Sequence, residues 1–144
     1  MAGRVERLSP EGMLQSPAFS QVVTVEGATR TVYVGGQDAV DAQGNLVGEG
    51  DIGAQTAQAI ANVERALAAA GAGLEHLIKV TIYVVAGQSV QPGFQAWMRA
   101  WGNRATPPAI SVVFVAGLGH PGWLVEIEGV AVVPLDDSGQ PLAG

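Results

Sequence analysis

The stretch "LIKVTIYVVA", Leu77 to Ala86, is the strongest strand signal in the chain. Aliphatic residues alternate with others: Ile78, Val80, Ile82 and Val84 fall on one face, Lys79, Thr81 and Tyr83 on the other. β-branched and aromatic side chains dominate, and no Gly or Pro interrupts them. This pattern predicts a central strand that packs its aliphatic face on helices. Its other face carries a cation, a hydroxyl and a phenol.

Working outward, the neighbouring segments supply those helices. Asp51 is placed as the N-cap of a helix running to about Ala70, and "GAG" at 71–73 ends it. Thr56, Ile60, Val63, Leu67 and Ala70 form one stripe, with Gln55, Gln58, Asn62 and Arg65 on the other side. A second helix fits Val90–Gly102, with Pro92 and Gly93 in its first turn. "ATPP" breaks the chain, "AISVVFVA" reads as a strand and "GLGHPG" as a loop. "WLVEIEGVAVV" then closes a sheet, and the tail from Pro134 is expected to fray. Upstream, strands near Phe19–Val25 and Thr31–Gly35 flank the turn Glu26-Gly27-Ala28 as an expected hairpin. The segment "DAVDAQGNLVGEGD" follows as a loop.

The order is therefore β-β-α-β-α-β-β, and the economical layout is an α+β, two-layer fold with both helices on one face of a single sheet. The other face, with Thr81 and Tyr83, is left bare. Charged residues make up only 14% of the chain and hydrophobic ones 48%, so a second copy is expected to cover it. The 144 residues amount to one domain, 1–144, with a core of about 17–133 and flexible termini.

Composition excludes several functions. A net charge of −6 with scattered Lys and Arg opposes nucleic-acid binding. No cysteine is present, which removes disulfides, thiolate metal sites and cysteine nucleophiles. "MAGRVERLSP" lacks the apolar core of a signal peptide and no run has membrane-spanning length, so the expectation is a soluble cytoplasmic protein without membrane contact. Phosphate-loop, dinucleotide and HExxH motifs are absent, and "VGGQ" at 34–37 ends a strand without opening a helix. His76 and His120 lie far apart without ligand spacing, so neither a metal nor a cofactor is expected.

The carboxylates remain. In "LVEIEGVAVV", Leu124–Val133, Glu126 and Glu128 stand two apart on one face of an otherwise apolar strand. Either both are structural, paired or at an edge, or one is chemical. Lys79 needs a partner as well. Pairing it with Glu128 across neighbouring strands leaves Glu126 free as a general acid or base.

Four segments, "VYVGGQ", "ANVERALAAAGAGLEHLIKVTIYV", "PPAIS" and "LVEIEGVAVV", resemble in order and spacing the YjgF/RidA family, also called the endoribonuclease L-PSP family. The resemblance runs from about residue 17 to 133. It implies a chorismate-mutase-like fold and a homotrimer with ligand clefts between subunits. It also implies hydrolysis of reactive enamines and imines such as 2-aminoacrylate. By position, Glu126 matches the carboxylate that handles the attacking water, Gly36 the glycine that approaches the ligand, and Phe19 an aromatic cleft residue. The arginine that forks onto a substrate carboxylate is replaced by Ile110. An aliphatic side chain cannot imitate that bidentate grip.

With Ile110 as an apolar floor, Phe19 and Trp123 as aromatic walls and His120 nearby, the expected ligand is an uncharged or cationic small molecule. Three functions follow from this reading. One is a deaminase acting on a substrate other than 2-aminoacrylate, and another is a non-catalytic ligand-binding trimer. The third is an endoribonuclease, which the charge balance places last.

Overall fold

The computed structural model describes residues 1–143. Its strands are β1 (Arg4–Leu8), β2 (Val22–Glu26), β3 (Thr29–Gln37), β4 (Leu77–Val85), β5 (Ala109–Val115) and β6 (Val125–Pro134). Its helices are α1 (Ile52–Ala69) and α2 (Gln91–Trp101), with a single 3-10 turn at Leu74–His76. Four strands form the main sheet in the order β3-β6-β4-β5. β4 and β5 run parallel, as the α2 crossover between them requires, and the other pairs are antiparallel.

Both helices form as their sequences dictate. Asp51 caps α1 by accepting a hydrogen bond from the Ala54 N–H at 3.0 Å. Gly71, at φ 72°, follows the C-cap Ala70 in the left-handed conformation that ends a helix. In α2, Trp97 and Trp101 lie one turn apart, stacked at 5.6 Å and almost fully buried. Together with Ile60, Val63 and Leu67 of α1 they pack on Val80, Val84, Val125 and Ile127 of the sheet. Burying each such side chain stabilises the fold by roughly 1.5–3 kcal/mol.

Three local expectations are corrected. The predicted hairpin is not one: β2 pairs with β1 in a separate two-stranded ribbon, whereas β3 pairs with β6. The chain's beginning takes the edge that β3 was expected to occupy, with Arg4 opposite Glu26 and bonded to it at 2.9 Å. "RVERL" gave no strand signal because its charged residues mask the alternation. The tail is also ordered: the Leu135 N–H donates to the Ala28 carbonyl, and Asp136 Oδ1 accepts from the Ser138 and Gln140 N–H groups. Finally, the register of β4 shifts between Leu77 and Lys79, so Leu77 is buried in place of Ile78.

Candidate functional site

Strand β6 explains how an apolar segment tolerates two carboxylates. Val125, Ile127 and Ala131 point into the core, and Glu126, Glu128 and Val130 alternate onto the face away from the helices. There Glu128 stands opposite Thr81, and Glu126 opposite Tyr83. The Tyr83 hydroxyl donates to Glu128 at 2.6 Å, and this hydrogen bond raises the phenol above its ordinary pKa. Lys79 is not the partner of Glu128. The shifted register sets Lys79 opposite Val130, and its ammonium donates to Ser111 Oγ at 2.6 Å on the neighbouring strand.

Glu126 is held from the other side by β3. The β3–β6 register breaks between Val34 and Gln37, so Gly35 and Gly36 bulge out of the ladder. At Gly36 the backbone comes so close that a Cβ would stand 2.6 Å from the Glu126 carboxyl carbon. Only glycine leaves the carboxylate where it is. Just beyond the bulge lies Asp38, 7% exposed, with its carboxyl beside that of Glu126. Burial, and then the neighbouring Glu126, push Asp38 up from 3.8 to about 7. Among the described residues neither carboxylate has a Lys, Arg or His in an ion pair.

The remaining residues singled out in the sequence gather elsewhere. Ile110 is opposite Val80 on β5 and therefore faces the helix side of the sheet. With Phe19, Phe94, Trp97, Val112 and Phe114 it lines an apolar cavity of about 360 Å³ between β5 and α2. Within one chain, this cavity and Glu126 lie on opposite faces. His120 and Trp123 pack against each other in the loop before β6, with ring centroids 4.6 Å apart and ring planes tilted by 50°. The structure thus brings together Gly36 with Glu126, Phe19 with Ile110, and His120 with Trp123, as three separate pairs.

Three polar residues that matter were missed. Gln55, placed on the outer side of α1, is fully buried. Its amide donates to the carbonyls of Gly48 and Gly122 and its oxygen accepts from the Leu124 N–H, which fixes the entry to β6. Asn62, given the same outer placement, donates to the backbone carbonyls of Asp38 and Val40 at 3.0 and 2.9 Å. It holds the segment that delivers Asp38. Asp38 lies in the segment whose Gly, Asp and Asn content reads as a loop, and its position two residues beyond Gly36 is the signal that marks it.

Comparison with known proteins agrees with this architecture. Residues 13–133 match the sequence profile of the endoribonuclease L-PSP family. A RutC family protein of Synechocystis is 34% identical over 128 residues, spanning 83% of this chain and 92% of its own. Among solved structures, a Rid family protein of unknown function from Yersinia pestis superposes with a TM-score of 0.78 at 35% identity, covering 88% of this chain and 97% of that one. A YjgF/YER057c/UK114 family member from Mycobacterium tuberculosis gives 0.58 at 30% identity, covering 90% and 100%. The fold is that of an α+β protein of YjgF type. This chain belongs to the endoribonuclease L-PSP family, also known as YjgF/RidA.

Proposed function

We propose that this protein is a homotrimeric hydrolase that converts a small imine or enamine to a carbonyl compound and ammonia. Glu126 is the group that activates water. The observation that carries this reading is the Glu126 carboxyl held against the Gly36 backbone on the open sheet face, free of any cation among the described residues. A carboxylate without a salt-bridge partner is available for proton transfer.

The substrate lacks a carboxylate at the position of Ile110, because the cavity there offers aliphatic and aromatic surface and no fork of donors. That cavity and Glu126 become one cleft when a neighbouring copy sets its Ile110 side against the carboxylate face. The exposed Tyr33 and Val113 on or beside that face support such a covering. His120 and Trp123 are the loop residues nearest in sequence to the catalytic strand and would form part of the cleft's rim.

The test is ammonia release from the N-unsubstituted imines formed when an amine oxidase oxidises butylamine and benzylamine in solution, with 2-aminoacrylate as the carboxylate-bearing comparison. We expect the first two to be turned over, Glu126→Gln to abolish this, and 2-aminoacrylate to remain near the uncatalysed rate. Binding of these compounds without ammonia release would favour the second reading, a ligand-binding trimer. Ile110 is the residue that supports it. An endoribonuclease activity is opposed by the net charge of −6 and by the acidic open face.

A further inference from the structure

Asp38 is not explained by the role given to Glu126. It is a carboxylic acid with only 7% of its surface exposed, and its Oδ1 has no hydrogen-bond partner among the described residues. A buried carboxylate oxygen without a donor is costly, and a second carboxylate beside it adds repulsion. Its main chain is nevertheless tied down by Asn62, itself oriented by the Gln58 amide at 3.0 Å. The fold therefore holds Asp38 against Glu126 instead of letting it turn to water.

Among the described residues, the titratable groups on the sheet face of the pair are Glu128, Tyr83 and Lys79, whose ammonium donates to Ser111 and forms no ion pair with either carboxyl. Tyr83 donates to Glu128, and from α1 the Asn62 amide, itself bonded to Gln58, donates to the Asp38 and Val40 carbonyls. With no cation paired to either carboxyl among the described residues, a proton is the remaining way to satisfy both.

We infer that Asp38 is a positioning residue for Glu126: the two carboxyls hold one proton in common and together form an acid–base pair for hydrolysis of an uncharged imine. This rests on the functional reading above and specifies its proton economy. The shared proton passes to the imine nitrogen through Glu126 as water adds to carbon. The water gives one proton back to the pair, leaving a neutral carbinolamine and a singly protonated pair. In the second step the pair protonates the amino nitrogen. The C–N bond breaks with its electrons going to nitrogen, and the hydroxyl proton returns to the pair as the carbonyl forms. Each turnover consumes one water and releases one ammonia, and the pair ends as it began. A single net charge also explains why a neutral substrate suits the site better than an anionic one.

Carbon-13 NMR titration of the side-chain carboxyls tests the sharing directly, without any substrate. The native protein is expected to show one carboxyl of the pair titrating near neutrality, with the other carbon sensing the same step. Glu126→Gln should lower the Asp38 step by roughly one pH unit through loss of the neighbouring charge. Asp38→Asn should remove the step altogether. In the ammonia assay, Asp38→Asn should lose the fall in rate that the native enzyme shows as the shared proton dissociates. Its rate at pH 7 should drop roughly tenfold or more.

Two carboxyls that titrate independently below pH 5 would overturn the pair, even if imines are hydrolysed and Glu126→Gln is inactive. An unchanged pH profile in an active Asp38→Asn protein would do the same. A shared step in the native titration supports the pair even if no imine tried is a substrate, in which case it is the functional reading that fails.

Discussion

The two faces of the main sheet are built from the same strands and do opposite work. On the helix side, Ile127, Val125 and Val80 are 1–2% exposed and meet Leu67, Ile60 and Trp97 in a closed core. On the other side, one residue along from each, stand Glu126, Glu128 and Lys79 with Tyr33, which is 80% exposed in the single chain. A strand's period of two makes this separation possible. One set of positions holds the fold, so the alternate set is free to carry charge and chemistry. The difference teaches where a substitution should act: helix-side changes on unfolding, open-face changes on assembly and proton transfer.

The largest expected effect crosses this division, because Asp38 is an acid buried at the edge of the open face. Its pKa lies above that of the unfolded chain, so the folded state holds the proton more tightly. Its stabilising contribution is therefore complete below pH 3.8 and is lost as pH rises to about 7. At roughly 1.4 kcal/mol per pH unit, reduced by the solvent that still screens the pair, this amounts to at most about 4 kcal/mol. Denaturant unfolding at a series of pH values should show that decline in the native protein and a much flatter curve in Asp38→Asn. Equal slopes in the two proteins would remove Asp38 from the account of stability.

Next in size is the contrast between two truncations. Ile127→Ala leaves a cavity in the core and should cost roughly 3 kcal/mol of unfolding free energy. Tyr33→Asp, at an exposed site of the single chain, should instead reduce the mass seen by light scattering from that of the proposed trimer to a monomer while the circular dichroism of the fold persists. A Tyr33→Asp protein that remains trimeric would show that the open face is not the assembly surface.

A smaller effect is expected at Ile110, on the apolar side. Ile110→Arg supplies a guanidinium fork and should allow calorimetric detection of pyruvate or benzoate binding that the native protein lacks, a gain of about tenfold or more in affinity. Equal binding by the native protein would mean that another cation already serves.

The smallest effect concerns Lys79 and Glu128. They share an open groove but not a hydrogen bond. Lys79→Met should change stability by less than about 0.5 kcal/mol, and its effect should add to that of Glu128→Gln. Coupling should appear between Tyr83→Phe and Glu128→Gln instead. A non-additive Lys79–Glu128 cycle would restore the pairing that the sequence suggested.

The sequence by itself determined the two helices, the alternation in β4 and β6 and hence the order of the main elements. These are local: an N-cap, a helix-stopping glycine and a period of two act within a few residues and do not depend on what lies across the fold. The residues Gly36 and Glu126 were legible through the family resemblance, and their contact is what the register of β3 on β6 supplies. Tertiary structure alone decided the rest. β1 is a strand because β2 offers it an open edge, not because "RVERL" favours one. Ile110 and Glu126 face opposite ways because a parallel and an antiparallel register place them on different pleats of one sheet. Asp38 became a buried acid only when Asn62, 24 residues away along the chain, tied its backbone down beside Glu126. Burial and carboxyl–carboxyl contact are properties of distance in space. A sequence lists the groups, and the packing sets the distances between them.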